Sequence, residues 1–202
     1  MYSEELLFES IRVFDGHLER LDYHEARMND ARSYLFADFR EIRLLDIISI
    51  PDKYTSGLNK CRIIYNRDIK LVEFEKYNKK QITTLGFVDG GDIEYPFKFL
   101  NRAALDNLLD IRPYGSDDII ITKNGLVTDS SYSNLAFYKE GQWYTPRLPL
   151  LFGTKRAFLL NSGILIERDI YVKDILQFEK VSLINALLNL GDIEIPVTSI
   201  NT

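Results

Sequence analysis

The chain is poor in the residues that build staples and metal centres. Cys61 is its only cysteine, and His17 and His24 are its only histidines. A lone cysteine excludes an internal disulfide and a cysteine-rich metal site. Two histidines with no ligand cluster around them fall short of the four ligands a structural zinc site takes. No Gly-x-Ser-x-Gly elbow occurs, so a Ser-His-Asp hydrolase has no support. Cys61 has no base near it in sequence and reads as a small core residue of a strand. No apolar run approaches the ~18 residues of a membrane-spanning helix. Met1-Tyr2-Ser3-Glu4-Glu5 carries no basic region and no leader-like apolar run, which makes the cytoplasm the expected compartment. Excess positive charge is lacking as well. The 25 Lys and Arg stand against 30 Asp and Glu, for a net charge of −5, which argues against generic nucleic-acid binding. Internal repeats and low-complexity tracts are absent.

What is present suits a soluble protein with many strands. The 202 residues are 46% hydrophobic and include 12 Tyr and 12 Phe, enough for one moderate domain or two small lobes. Leu6 to Phe14 reads as a strand ended by the hairpin signal Asp15-Gly16, with His17–Leu21 as the return strand. Asp22 is the expected N-cap of a helix running to about Phe36, because Ala26, Met28, Ala31, Tyr34 and Leu35 recur at helical spacing. A second helix is expected from Phe39 to Ile48, ended by Pro51. Strands are expected at Lys60–Tyr65, Ile69–Tyr77 and Gln81–Val88. Gly90-Gly91-Asp92 then breaks the pattern, which puts a lobe boundary between 1–89 and 90–202. Further on, helices are expected at Arg102–Leu109, from Gly153-Thr154 to about Leu160, and near Val172–Phe178. Strands are expected at Ile119–Thr122, Asn134–Tyr138, Gln142–Tyr144, Ile164–Glu167 and Val181–Ile184. The reading is an α+β fold.

Four places carry candidate chemistry. Lys98 lies in Tyr95-Pro96-Phe97-Lys98-Phe99-Leu100-Asn101-Arg102. An amine hemmed in by Phe97, Phe99 and Leu100 can lose solvation, and a neutral amine condenses with aldehydes. Asp129 sits in Val127-Thr128-Asp129-Ser130-Ser131-Tyr132-Ser133-Asn134. This is either a turn rich in Ser and Asn or a carboxylate set to face a protonated ring nitrogen. Gly153-Thr154-Lys155-Arg156 opens a helix, either as an ordinary start or as an anion cup of backbone N–H groups. Arg27 shares a helix face with His24, on a solvated surface or in contact with a phosphate. A cofactor aldehyde with a phosphate handle and a basic ring nitrogen needs a lysine, a carboxylate and an anion cup, and pyridoxal phosphate is such a cofactor.

With these residues in view the chain resembles the class IV, fold-type IV pyridoxal-phosphate enzymes. They comprise branched-chain aminotransferases, D-amino-acid aminotransferases and 4-amino-4-deoxychorismate lyases. Phe8-Glu9-Ser10-Ile11-Arg12 with Asp15-Gly16 resembles the opening strand and turn. His24-x-x-Arg27-Met28 resembles His-x-x-Arg-Leu, whose arginine binds the cofactor phosphate. Lys98-Phe99-Leu100-Asn101-Arg102 resembles the Schiff-base lysine segment, in a form closest to the lyases. Gly125-x-Val127-Thr128-Asp129 with Ser133-Asn134-Leu135 resembles Gly-x-Val-Thr-Glu and its downstream asparagine. Thr145-Pro146-Arg147-Leu148, Gly153-Thr154-x-Arg156 and Ile184-Asn185-Ala186-Leu187 resemble later segments, the last on the phosphate side.

The resemblance implies a two-lobed fold, with an N-terminal α/β sandwich lobe and a C-terminal β-barrel-like lobe with helices. It implies Lys98 as catalytic residue and pyridoxal 5'-phosphate as cofactor. The cofactor is held by Arg27, Lys98, Asp129, Asn134, Gly153, Thr154, Lys155, Ala186 and Leu187. Phe8, Asn101, Arg102 and Arg147 fall on the substrate side, and the partners implied are a small-molecule amino substrate and a second copy in a homodimer. No metal, nucleic acid or membrane is implied. The reaction expected is conversion of 4-amino-4-deoxychorismate to 4-aminobenzoate and pyruvate. The alternatives are an aminotransferase for branched-chain or D-amino acids and a catalytically degenerate member. Three departures stand out. Asp129 replaces the family's Glu and shortens its reach by roughly 1–1.5 Å. The stretch between Arg27 and Lys98 is short, and so is the region before Phe8.

Overall fold

The computed structural model describes residues 5–36 and 39–201. The expectation drawn from residues 1–4 lies outside them. The chain divides into two compact units: Met1–Lys79 with Phe97–Asn101, and Lys80–Pro96 with Arg102–Thr202.

In the first unit, β1 (Leu7–Phe14) turns through Asp15-Gly16 into β2 (His17–Leu18), followed by α1 (Leu21–Leu35), β3 (Leu58–Tyr65) and β4 (Ile69–Lys76). The sheet order is β2-β1-β3-β4, antiparallel throughout. Asp15 and Gly16 both have positive φ, 46° and 77°, as a two-residue hairpin turn requires. Leu7, Ile11 and Val13 of β1 face Cys61, Ile63 and Tyr65 of β3 and Met28 and Ala31 of α1 in one core. His24, Met28 and Ala31 are the stripe that buries α1 against the sheet.

Several expectations need correction here. The N-cap of α1 is Arg20, in the left-handed region at φ 54°, and Asp22 lies in the first turn instead. A carboxylate there still favours the positive helix end. The helix expected over Phe39–Ile48 is absent among its described residues, which hold only a 3-10 turn at Leu44–Asp46. Around Ile42 and Leu44 its backbone is bonded to side chains of α1, and only the turn that follows bonds to itself. The Ile42 amide donates to Asn29 Oδ1 and the Asn29 amide to the Ile42 carbonyl, each at 3.1 Å, while the Leu44 amide donates to Glu25 at 2.7 Å.

The second unit holds β5 (Leu85–Asp89), α2 (Ala103–Asp110), β6 (Asp118–Lys123), β7 (Leu126–Val127), β8 (Asn134–Lys139), β9 (Gln142–Pro146), α3 (Thr154–Asn161), β10 (Leu165–Arg168), β11 (Lys180–Ile184), β12 (Glu194–Pro196) and β13 (Ile200–Asn201). They form two sheets, β13-β5-β6-β7 and β10-β9-β8-β11-β12. Ile119, Ile120 and Ile121 of β6 are all fully buried, as expected of a parallel strand covered on both faces. The units part at Lys79–Lys80 rather than at the expected Gly90-Gly91, because β5 pairs with β6 and β13 of the second unit. Val172–Gln177 is a 3-10 helix. Leu159 of α3 packs with Ala136, Leu165 and Ile184, which seats the second half of α3 against β8, β10 and β11. Among the described residues no helix is long and apolar enough to cross a membrane, and no group of three potential metal ligands occurs.

Candidate active site

In the first unit, Lys98 is registered on the N-terminal half of β1. The Phe8 amide donates to the Lys98 carbonyl at 3.0 Å, and the Leu100 amide donates to the Leu6 carbonyl at 2.7 Å. Lys98 Nζ lies 4.6 Å from the centre of the Phe8 ring, a cation–π contact worth about 0.5–1 kcal/mol. The Phe99 amide donates to the Phe97 carbonyl at 2.9 Å, so the chain turns at Lys98. Phe97 and Phe99 pack against the α1–sheet core, and Phe8 of β1 meets the amine.

Arg27 and His24 converge on Glu9 of β1, which is fully buried. Arg27 Nε donates to Glu9 Oε1 at 2.9 Å and Nη2 to Oε2 at 2.5 Å. His24 Nδ1 lies 2.6 Å from Oε2. Burial alone would raise the Glu9 carboxyl, but the Arg27 charge and the His24 hydrogen bond outweigh it and hold the carboxyl down at about 2. Burial pushes His24 below its ordinary value, so the ring is neutral at pH 7. An ionised carboxylate only accepts, which places the proton on Nδ1.

In the second unit, Asp129 and Asn134 close a tight turn as a bridged pair. The Ser130 amide donates to the Ser133 carbonyl at 2.8 Å. Asn134 Nδ2 donates to Asp129 Oδ1 at 2.7 Å and to the Leu151 carbonyl at 2.8 Å. The Leu151 amide donates to Asp129 Oδ2 at 3.0 Å. Burial drives the Asp129 carboxyl up to about 6, and these neutral donors only partly offset it. Ser133 is held by Asn185 Nδ2 at 3.0 Å. Asn185 Oδ1 accepts from the Leu187 and Leu188 amides at 2.9 and 3.0 Å, which fixes the loop carrying Ala186 and Leu187. Lys155 Nζ donates to Asn189 Oδ1 at 2.5 Å, tying the start of α3 to that same loop.

These residues fit pyridoxal phosphate. Asp129 has carboxylate capacity for one more donor, since a carboxylate offers about four lone-pair sites. Gly153, Thr154 and Lys155 open α3, where first-turn amides and the helix dipole favour an oxyanion. A Cβ on Gly153 would come within 2.1 Å of Asn134 Oδ1, so glycine is required where the helix start approaches the Asp129 turn. Burial pushes the Cys61 thiol up to about 12, which removes it as a nucleophile.

The substrate-side candidates are less gathered. Phe8 is buried beneath Lys98 and also lies 5.0 Å from the Arg62 guanidinium. Arg102 lies over the Tyr132 ring at 4.2 Å, and its Nη2 donates to the Ser131 carbonyl at 2.5 Å. Asn101 is exposed. Arg147 is half exposed and pairs with Asp169 at 3.0 Å. Sequence reasoning gave Glu9 and Asn185 no role beyond membership of their motifs, and passed over Asn189 and the Leu151 amide. Glu9 carried a signal, as a carboxylate in the buried register of a strand otherwise lined by Leu7, Ile11 and Val13.

The sequence pattern of the amino-transferase class IV family matches residues 99–200. An uncharacterised Haemophilus influenzae protein is 36% identical over 183 residues, covering 90% of this chain and 97% of its own. The crystal structure of a candidate 4-amino-4-deoxychorismate lyase of Haemophilus somnus superposes with a TM-score of 0.85 at 35% identity. It covers 93% of this chain and 98% of that one. A candidate amino-acid aminotransferase of Mesorhizobium loti shares the fold at 19% identity, with a TM-score of 0.80 and coverage of 95% and 99%.

Proposed function

The chain belongs to the class IV aminotransferase family of pyridoxal-phosphate enzymes, and we propose that it is a lyase releasing 4-aminobenzoate and pyruvate from 4-amino-4-deoxychorismate. The observation that carries this reading is the 35% identity, across nearly the whole of both chains, to the Haemophilus somnus candidate lyase. The lyase-like form Lys98-Phe99-Leu100-Asn101-Arg102 supports it. The family resemblance also supports a cytoplasmic homodimer.

When bound, pyridoxal phosphate supplies an electron sink for the charge that develops beside the substrate nitrogen. Lys98 would hold the cofactor through its amine. With that amine free, Nζ would take a proton from the substrate carbon and later return one, as base and then acid. Asp129, kept in place by Asn134 and the Leu151 amide, would keep the proton on the cofactor's ring nitrogen. Arg27 in the first unit would bind phosphate, as would, in the second, the start of α3 at Gly153, Thr154 and Lys155 and the Ala186-Leu187 loop. Arg102, fixed on Tyr132 and the Ser131 carbonyl, takes a substrate carboxylate, with Phe8, Asn101 and Arg147 as further substrate-side groups.

Incubating the purified protein with 4-amino-4-deoxychorismate tests the reading. Equal amounts of 4-aminobenzoate and pyruvate are expected, and Lys98→Ala should lose both the products and the yellow cofactor colour. Amino transfer to 2-oxoglutarate with no 4-aminobenzoate would make the chain an aminotransferase instead.

A further inference from the structure

Two neighbouring residues of β1 register two distant groups of the same unit. Phe8 fixes Lys98, by its amide on the Lys98 carbonyl at 3.0 Å and by its ring 4.6 Å from Nζ. Glu9 fixes Arg27 by gripping Nε and Nη2 together. Phe8 and Glu9 are consecutive, so the two grips start one residue apart on β1. The grip on Arg27 is rigid. The Glu9 side chain is fully buried, as is His24, which holds Oε2 from the other side at 2.6 Å. The Arg27 side chain retains 18% exposure. Its fork has five N–H donors, and Glu9 occupies one edge of it.

Stability alone does not call for this arrangement. A buried ion pair often contributes no more than well-packed apolar residues of the same volume. A positional role does call for it, because a cofactor anchored at an aldehyde and at a phosphate needs its two anchors at a fixed spacing.

We propose that Glu9 is a positioning residue for phosphate binding: it aims the Arg27 guanidinium at a set spacing from Lys98, so that one ligand meets both. The inference rests on the reading of Arg27 and Lys98 given above. His24 is the brace that keeps Glu9 itself from turning.

The measurement is the dissociation constant of the apoprotein for pyridoxal phosphate and for pyridoxal, which lacks the phosphate. Their ratio is the phosphate preference. Glu9→Asp keeps the charge but draws it back by one methylene, so position changes while charge does not. The preference should fall about tenfold, the scale on which supporting partners of binding groups act, with the pyridoxal constant nearly unchanged. In an Arg27→Ala background, Glu9→Asp should leave the preference unaltered. His24→Asn puts an amide N–H about where Nδ1 stands and should keep the preference, whereas His24→Ala should lower it. This pair of variants decides the matter if Glu9→Asp does not fold. Glu9 is merely structural, and the proposal fails, if its replacement weakens both ligands equally, leaves the preference intact, or acts as strongly without Arg27. If Arg27→Ala itself leaves the preference unchanged, the reading of Arg27 as phosphate holder falls first, whatever Glu9→Asp does.

Discussion

Glu9 in the first unit and Asp129 in the second are both buried carboxylates, and burial raises both. They nonetheless end on opposite sides of their ordinary values, Glu9 at about 2 and Asp129 at about 6. The difference lies in their partners. Glu9 touches a guanidinium, and a charge at contact is worth about 4 kcal/mol near a protein surface. Asp129 is held by Asn134 and backbone amides, a neutral hydrogen bond nets only about 1 kcal/mol, and the Arg156 charge acts on it less than these bonds do. The first unit keeps a permanent carboxylate to hold a cation in place. The second holds a carboxyl whose ionisation burial opposes and neutral donors only partly restore.

The largest expected effect comes from stripping Glu9 of its cation. Arg27→Leu leaves a buried carboxylate with His24 as its remaining hydrogen-bond donor, and should cost about 3–5 kcal/mol in urea unfolding of the apoprotein. Adding Glu9→Leu should recover most of that loss. A loss below about 1 kcal/mol for Arg27→Leu, typical of exposed pairs, would mean that the two carboxylates do not differ in the way described.

The next effect is in the pH dependence, and the two sites carry opposite signs. Glu9 sits below its ordinary 4.5, so its contribution is complete above pH 4.5 and is lost as pH falls through about 2. Asp129 sits above its ordinary 3.8. The folded chain therefore keeps a proton that the unfolded chain has released, and stability falls as pH rises from about 4 through 6. The drop amounts to about 3 kcal/mol for a shift of this size. Subtracting the unfolding free energies of Asp129→Asn from those of the wild type across pH 4–7 should isolate this decline. A flat difference would place Asp129 near its ordinary value and erase the contrast.

How far each half could be read from the sequence follows from how local its determinants are. The β1–β2 hairpin turns on Asp15-Gly16, and α1 on Met28 and Ala31 at helical spacing, all within a few residues. The segment 39–48 has helical spacing too, yet its backbone partners are Asn29 and Glu25 on α1, which no local pattern reveals. The boundary misled for a similar reason, since β5 is claimed by β13 from the far end of the chain. Lys98, Arg27 and Asp129 stand in motifs that the sequence displays. Glu9 was legible only as a member of its motif, because its meaning depends on a helix residue 18 positions later. The Leu151 amide was invisible, because a backbone donor leaves no mark on residue type.

The smallest effect probes why Asp129 has the donors it has. Gly153 has an ordinary backbone, with φ −74° and ψ 144°, so alanine there meets no backbone strain. The obstacle is Asn134, whose Oδ1 and Cγ would lie 2.1 and 3.2 Å from the new Cβ. That amide cannot swing aside freely, because its Nδ2 is fixed on both Asp129 and the Leu151 carbonyl. Gly153→Ala should therefore cost about 1–3 kcal/mol, the usual range for overpacking. It should do so through Asp129. With the Asn134 donor displaced, the ionised carboxylate loses a partner that the protonated form needs less. The loss measured by urea unfolding should accordingly be larger at pH 7 than at pH 5, where Asp129 is mostly protonated. Glu9 has no comparable dependence, since it stays ionised at both values. An equal loss at the two pH values would show that the glycine serves packing alone and that Asn134 does not tune the carboxyl beside it.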